Sequence, residues 1–282
     1  MRITLPPPSQ RVSRSVWRDG AKTRDVPDRA IPEEAAVAFT YGGSSYAVMM
    51  ATPRDLEDFA VGFTLTEGVA TPDQIENLEI IPEASGIELR MRLVATQERA
   101  YAERRRHLAG PTGCGLCGIE SLTEAVRDLP NVASREVFTP EEIMRAVASL
   151  PAAQSLNNET RAVHAAAFWK RGQGLVALRE DVGRHNALDK LAGALARGGT
   201  SGEGIVVVTS RLSVEMIQKT AMMGAPLIVA VSAPTALALR TADAAGITVA
   251  AIARGDGFEI FTHPERVVLE IAGEAASVAF GS

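Results

Sequence analysis

The amino-acid sequence predicts an α/β protein with a large main domain and a smaller N-terminal α+β domain. From about Ala162 onward, near-continuous apolar strands alternate with helices, which is typical of a mostly parallel sheet covered on both faces. Before that point, a strand hairpin, a helix and a further strand form a separate pattern. The 282 residues are enough for two domains. We predict a flexible tail at 1–31, the small domain at 32–110 and, at 111–282, a thiol loop with the main domain.

The small domain is expected to begin with a hairpin. Two strand-like runs, 36–41 and 45–50, are joined by Gly42 and Gly43. A further strand is expected at 87–94, which completes a small α+β unit.

Three helices are expected before the main alternation begins. Thr52 and Pro53 are typical of a cap and a first helical position, and they predict a helix to about Thr66. Apolar residues at three- and four-residue spacing predict a second helix at 119–129. Thr139, followed by proline and by a glutamate three positions later, is the signature of a capping box.

The main domain is expected to alternate strands with helices. The predicted strands are 175–178, 204–209, 227–231 and 247–252, and the predicted helices are 187–196, 214–223 and 235–245.

Composition restricts the partners that the protein can have. The hydrophobic fraction of 46% and the charged fraction of 22% are those of an ordinary soluble protein. A formal net charge of −5 lacks the positive field that sequence-independent nucleic-acid binding requires. No segment has the ~18 uninterrupted apolar residues of a membrane span, and the N-terminus does not resemble a signal peptide. We therefore expect a cytoplasmic protein with neither nucleic acid nor membrane as a partner.

Three loops leave strands at what should be one edge of the main sheet. Each carries small residues, hydroxyls or an arginine, and this edge is where open parallel sheets bind ligands. The side chains singled out are Ser210, Arg211, Ser232, Thr235 and Arg254. These loops suit a phosphate-bearing ligand, although no Walker or dinucleotide fingerprint is present. The alternative is that their hydroxyls cap helices and their glycines close turns.

The segment 179–186 concentrates charge between a strand and a helix, which a simple turn does not require. His185 in this segment could bind a ligand, orient a carboxylate such as Asp181, or cap a helix. His164 enters an apolar run, where a lone histidine is more often a core residue than a ligand.

The only two cysteines, Cys114 and Cys117, are three positions apart with glycine before, between and after them. A structural zinc site would need two further ligands, and only His107 is nearby. A zinc deaminase would show a different arrangement of proline, histidine and glutamate. A thioredoxin-like pair normally has an aromatic neighbour, which is missing here.

General disulfide exchange stays possible, and sulfur carriage is the fourth interpretation of the two thiols. One thiolate would accept a sulfur atom as a persulfide and pass it on. Glycines allow the loop to move, and the arginines at 104–106 or the start of the following helix could lower the free-thiol pKa of about 8.5. The basic triplet could equally be a solvated charge cluster.

The sequence resembles the formate dehydrogenase accessory sulfurtransferases (FdhD). The resemblance extends from about residue 32 to 262, and its long block at 179–190 is highly specific. The matching segments are 49–53, 55–59, 113–120, 179–190, 210–213 with Glu215, 231–235 and 253–255.

This resemblance implies a sulfurtransferase that takes sulfur from a cysteine desulfurase. The recipient would be the molybdenum bis(molybdopterin guanine dinucleotide) cofactor, bound as a client for the catalytic subunit of formate dehydrogenase. Cys114 would form the persulfide and Cys117 would be its partner. The resemblance also implies a homodimer and a cytidine-deaminase-like three-layer main domain. Its cofactor-binding stretch would be Ile252, Ala253, Arg254, Gly255, Asp256 and Gly257.

One segment departs from the family pattern. Arg161 and Ala162 stand where the family usually has two glycines before the histidine at 164. The change removes backbone freedom and adds charge, so a divergent paralogue that serves another molybdenum enzyme stays open. A binding chaperone that holds the cofactor without transferring sulfur is the alternative from a different functional class.

Overall fold

The computed structural model describes residues 3–23, 26–98 and 128–269 of the chain. Cys114, Cys117 and nearly all of the helix predicted at 119–129 lie outside the described residues. Everything said below about contacts refers to the described ranges.

Four short strands come first, within the segment for which the sequence predicted a flexible tail. They are β1 (Ser9–Val12), β2 (Val16–Arg18), β3 (Ala21–Thr23) and β4 (Arg29–Pro32). β1 pairs with β4 and β2 with β3, both antiparallel. The polar and proline-rich composition of this segment did not indicate strands. Their pairing is made by backbone hydrogen bonds, which side-chain composition does not report.

The N-terminal unit is a four-stranded sheet with one helix packed on it. Its elements are β5 (Ala35–Tyr41), β6 (Ser44–Ala51), α1 (Leu56–Thr66), β7 (Ile75–Glu83) and β8 (Gly86–Leu93). The strand order is β6-β5-β8-β7, and Pro72–Gln74 forms a single 3₁₀ turn before β7.

The predicted hairpin and the predicted strand at 87–94 are confirmed, as β5–β6 and β8. Gly42 and Gly43 turn the chain with φ of 53° and 77°, values that favour glycine. Behind the hairpin, Phe39 stacks on Phe63 of α1 with 3.9 Å between ring centroids. Strand β7 was not predicted.

The predicted start of α1 is wrong. The helix begins at Leu56, and Asp55 before it has a left-handed backbone with φ of 53° and makes no side-chain cap. The Thr52 hydroxyl accepts a hydrogen bond from the Val182 backbone N–H at 3.1 Å instead of capping the helix. A contact with a segment 130 residues away therefore outweighs the local capping signal.

The main domain contains the remaining helices and strands. They are α2 (Pro140–Ala148), α3 (Leu150–Ala153), α4 (Ser155–Thr160), β9 (His164–Lys170), β10 (Gly174–Asp181), α5 (Arg184–Arg197), β11 (Ile205–Val208), α6 (Val214–Met222), β12 (Leu227–Ala230), α7 (Ala236–Ala244), β13 (Thr248–Arg254) and β14 (Gly257–Thr262). A 3₁₀ turn, Pro264–Arg266, follows β14. The predicted capping box is confirmed at α2, where Thr139 and Glu142 exchange hydrogen bonds.

The main sheet is mixed rather than mostly parallel. Its order is β10-β9-β11-β12-β13-β14. β11, β12 and β13 are parallel, whereas β9 is antiparallel to both β10 and β11, and β14 is antiparallel to β13. The sequence prediction missed β9 and β14, the two strands that reverse direction.

Helices lie on both faces of this sheet. On one face α5, α6 and α7 bury residues such as Leu188, Ile217 and Ala238. On the other face Ile143 of α2 and Leu150 of α3 pack with Trp169. The predicted α/β class and the covering of both faces are confirmed, while the cytidine-deaminase-like arrangement stays a prediction.

The small unit meets the main domain where α1 crosses α5. A Cβ added to Gly62 would lie 1.7 Å from the Asp189 carbonyl oxygen, and one added to Gly193 would lie 1.8 Å from the Asp58 carbonyl oxygen. Only glycine permits this separation of the two backbones. Among the described residues, no helix combines the length and the apolar character needed to cross a membrane.

Candidate functional site at the strand ends

The carboxyl ends of four strands meet at one edge of the main sheet. β11, β12 and β13 run in parallel, and β10 runs with them because β9 is antiparallel to both β10 and β11. The first residue of β9, His164, lies at the same edge, opposite Asp181. We call this region the strand-end edge, and it receives the loops that begin after residues 181, 208, 230 and 254.

The loops after β11 and β12 lie side by side. Leu212 and Pro234 form an isolated parallel bridge, and the Thr235 backbone N–H donates to the Leu212 carbonyl at 2.9 Å. Ser210 is buried, and its hydroxyl donates to the Arg211 carbonyl at 3.1 Å. Thr235 caps α7 by accepting from the Ala238 N–H at 3.3 Å. The capping interpretation is therefore right for Thr235.

The predicted cofactor stretch 252–257 forms a hairpin between β13 and β14. Ile252 has φ of 55°, which is rare for a β-branched residue and costs roughly 1–3 kcal/mol. Its N–H donates to the Ser232 carbonyl at 3.3 Å, and the β13–β14 register shifts between Ala251 and Arg254. The strained bulge fixes the tip of the hairpin, where Arg254 is exposed, beside the loop after β12.

The block 179–190, the most specific part of the family resemblance, mainly joins the two units of the molecule. The Asp181 carboxylate accepts four hydrogen bonds, from the Thr52 N–H at 3.0 Å, the Gly183 N–H at 2.8 Å, Asn186 Nδ2 at 2.9 Å and Lys190 Nζ at 2.6 Å. Lys190 Nζ also donates to the Thr52 carbonyl at 2.8 Å. We call Thr52, Asp181, Asn186 and Lys190 the Asp181 clasp.

The Asp181 clasp contains an ion pair, Lys190 with Asp181, that has no contact with solvent. The side chains of Lys190 and Asp181 are both 0% exposed. Burial lowers the pKa of Lys190, while the charge of Asp181 opposes that shift. Because every oxygen and nitrogen of the pair has partners, the clasp positions the segment 181–184 and leaves no valence for a ligand.

His185 follows the clasp and faces the start of α6. Its Nε2 lies 2.8 Å from Glu215 Oε2 and 3.4 Å from the Ser213 hydroxyl. The hydrogen bond from His185 lowers the pKa of Glu215, and burial partly opposes this. Of the three roles considered for His185, contact with a carboxylate is the one seen here, with Glu215 as the partner instead of Asp181. Ligand binding by His185 stays a prediction.

Two residues of the strand-end edge were missed or misjudged from the sequence. Arg184, the first residue of α5, has a buried Nε without a hydrogen-bond partner in the described residues. His164 is half-buried rather than enclosed, and its ring bonds to no described residue. The charge density of 179–186 was a usable signal for Arg184. His164 gave no such signal, because only strand pairing brings it to this edge.

The strand-end edge carries three arginines, Arg184, Arg211 and Arg254, whose side chains make no ion pair or hydrogen bond with a described residue. The charge of Arg184 nonetheless acts on Glu215. Arg211 and Arg254 are exposed, whereas Arg184 is partly buried. Guanidinium groups at one edge of a sheet, without partners among the described residues, suit a phosphate or a similar anion.

The segment that departs from the family pattern has a strained backbone. Arg161 ends α4 with a left-handed backbone, φ 58°. That conformation favours glycine, the residue usual in the family, over a residue with a Cβ. Arg161 itself is exposed, three residues before His164.

Comparisons with known proteins agree with this structure. The sequence model of the FdhD/NarQ family matches residues 32–268. A sulfur carrier protein FdhD from Agrobacterium fabrum is 54% identical over 263 residues, covering 92% of this chain and 96% of that protein. The protein of the same name from Brucella abortus is 51% identical over 265 residues, with coverages of 92% and 98%.

A solved structure has the same overall fold. It is a crystal structure described as a formate dehydrogenase accessory protein from Desulfotalea psychrophila, and it is 25% identical in sequence. The superposition has a TM-score of 0.74 and covers 93% of this chain and 100% of the other.

Proposed function

Because the chain belongs to the FdhD/NarQ family, we propose that it is a cytoplasmic sulfur carrier that serves the maturation of formate dehydrogenase. The relatives that it matches over nearly their whole length are named sulfur carrier proteins. The thiol pair of the sequence, Cys114 and Cys117, supplies groups able to carry sulfur.

The loading step is an exchange between two sulfur centres. The Cys114 thiolate attacks the terminal sulfur of a persulfide on a cysteine desulfurase. A new S–S bond forms on Cys114, the S–S bond of the donor breaks, and the donor cysteine leaves as a thiolate. No external oxidant is required, and by the family resemblance Cys117 would be the partner thiol of the persulfide.

The recipient is the molybdenum bis(molybdopterin guanine dinucleotide) cofactor of the formate dehydrogenase catalytic subunit, bound as a client. The observation that carries this assignment is a set of arginines at the strand-end edge without a partner among the described residues, namely Arg184, Arg211 and Arg254. The buried Nε of Arg184 is a donor without an acceptor in the described ranges, and a phosphate oxygen of the dinucleotide would satisfy it. Ser232 and the tip of the 252–257 hairpin belong to the same edge of the sheet, and we include them in the proposed site.

The family resemblance also leads us to propose a homodimer. Its partners would be the desulfurase as sulfur donor and the apo-dehydrogenase as final acceptor. Neither nucleic acid nor a membrane is proposed as a partner.

Mass spectrometry tests sulfur loading directly. After incubation with a cysteine desulfurase and cysteine, the wild-type protein should gain one sulfur atom on Cys114. The Cys114→Ser variant should gain none there, whereas the matched Cys117→Ser variant should still load Cys114. A wild-type protein that never gains sulfur, but is still required for dehydrogenase activity in cells, would favour the chaperone alternative.

Titration with guanosine diphosphate tests the strand-end edge. The Arg254→Gln variant should bind more weakly than the wild type. Lys170→Gln is the matched control, because it removes one positive charge at the other end of β9, away from His164. Equal losses in the two variants would show that only net charge matters and would contradict the site.

A further inference from the structure

His164 and Arg184 are two half-buried ionisable side chains that lie at the same edge and have no partner within the described ranges. His164 is the first residue of β9 and pairs with Asp181 across the ladder. Arg184 follows three residues after Asp181 and begins α5. Neither the imidazole nor the guanidinium bonds to a described residue, although the Arg184 Nε is buried. Polar groups in this position are usually satisfied, so the pair is suited to receive a ligand.

The charges that face His164 come from two elements. Asp181 is contributed by β10, and Arg184 and His185 are contributed by the start of α5. The Asp181 carboxylate accepts hydrogen bonds from Lys190 and three N–H donors, and its negative charge also acts on His164. His185 has its own carboxylate, Glu215, on α6, and the positive charges of Lys219 and Arg184 also act on Glu215.

This environment disfavours the protonated form of His164 in the ligand-free protein. Burial lowers the pKa of His164, the positive charges of Arg184 and His185 lower it further, and Asp181 opposes them. A dianion bound to Arg184 would reverse the sign of the field at the imidazole. The protonated form would then gain an oppositely charged neighbour within the same cluster.

We propose that His164, Arg184 and His185 form a subsite for a phosphate group, and that phosphate binding is accompanied by uptake of one proton on His164. The inference rests on the proposed function, since it assigns the phosphate-binding part of the strand-end edge and its regulation. Arg184 holds the phosphate oxygens, His164 supplies the pH-dependent donor, and His185 is oriented by Glu215. Phosphate affinity accordingly rises as the pH falls from 8 towards 6, by at most about tenfold per pH unit.

Calorimetry measures this proton directly. Guanosine diphosphate is titrated into the full-length protein at pH 6.5, in two buffers with different ionisation enthalpies. The wild type should take up nearly one proton more than the His164→Gln variant. The ligand's own titration cancels between the two proteins. At pH 8 the two proteins should bind with similar affinity.

The outcomes separate this inference from the function on which it rests. Binding with the same proton uptake in wild type and His164→Gln would overturn the proton linkage and leave the nucleotide site intact. Absence of guanosine diphosphate binding by the wild type at every pH from 5.5 to 8 would overturn the proposed nucleotide site, and the subsite with it.

NMR of the histidine rings gives a second measurement, because it follows the titration of His164 in the wild-type protein itself. The chain has four histidines, so the His164 ring signals can be assigned by comparison with His164→Gln. Their titration midpoint should lie below about 6.5 in the free protein and rise when sulfate is added. Sulfate is the probe because its charge is constant over this pH range. In Arg184→Gln the free midpoint should rise and the response to sulfate should vanish, and an unchanged sulfate response would overturn the subsite.

Discussion

The Asp181 clasp and the strand-end edge are neighbouring polar regions with opposite properties. Both draw on the first two turns of α5, and both are rich in charge. In the clasp, Asp181 accepts four hydrogen bonds and Lys190 is enclosed with it. At the edge, Arg184 and His164 have no described partner. The charged residues of this region thus form two sets. In one set all hydrogen-bonding groups have protein partners and the set joins two units, and in the other they have no described partner and can bind a ligand.

Lys190→Met should have the largest effect, because it leaves the Asp181 carboxylate buried without its counter-ion. Removal of one partner from a buried ion pair costs about 3–5 kcal/mol of unfolding free energy. Chemical denaturation monitored by circular dichroism measures this loss. The double variant Asp181→Asn, Lys190→Met should recover part of the stability, since no charge then stays buried alone. A double variant no more stable than Lys190→Met would contradict the role of the pair.

Gly62→Ala should separate α1 from α5, next to the clasp. The new methyl carbon would lie 1.7 Å from the Asp189 carbonyl oxygen and would overlap it. A backbone atom cannot rotate away, so we expect a loss of about 3 kcal/mol. Thermal denaturation compares it with Gly255→Ala, whose added Cβ meets nothing within 4 Å. Similar melting temperatures for the two variants would show that the helices can move apart freely.

Arg184→Gln tests the strand-end edge, the region that the comparison describes as able to bind a ligand. The unfolding free energy should change by no more than about 0.5 kcal/mol, because the side chain bonds to none of the residues that the structure describes. Affinity for guanosine diphosphate should fall about tenfold or more, since a hydrogen bond to a charged group contributes roughly 1.5–3 kcal/mol. Denaturation and titration of the same preparation measure both quantities. A variant that is less stable but binds guanosine diphosphate with unchanged affinity would show that Arg184 stabilises the fold and does not bind the ligand.

Arg161→Gly should have the smallest effect, and the opposite sign. Glycine adopts the left-handed conformation at φ 58° without a Cβ conflict, so stability should rise by about 0.5–1 kcal/mol. The control is Arg145→Gly in the interior of α2, where glycine should lower stability by about 1 kcal/mol. Calorimetric melting of both variants checks the difference in sign. A loss of stability in Arg161→Gly would mean that the arginine side chain compensates for its backbone strain.

Local signals in the sequence were sufficient where neighbouring residues complete the structure. The hairpin at Gly42 and Gly43 and the capping box of Thr139 and Glu142 are both made within a few residues. The apolar strands β11 and β12 are buried throughout, as their composition predicts. At Thr52 the same reasoning failed, because the hydroxyl that should have capped a helix is used by Val182.

The candidate site shows a similar division. The sequence placed Ser210, Arg211, Ser232 and Thr235 on loops at one edge, and the strand order puts them there. It assigned no role to Arg184 and treated His164 as a core residue. Antiparallel insertion of β9 between β10 and β11 brings His164 to the carboxyl ends of the other strands. No periodicity within a single strand reports which way that strand runs.

The sequence alone determined the α/β class, most of the elements and the family, because hydrophobic spacing, caps and turn residues act over short distances and the motifs are read directly. Only the tertiary structure decided which charged groups are paired within the protein and which can still bind a ligand. The free energy of a buried charge depends on every partner that folding brings to it, and the partners of Asp181 are contributed by segments about 130 residues apart in the chain. Saturation of Asp181 and the unmet hydrogen-bond donor of Arg184 are therefore properties of the folded chain.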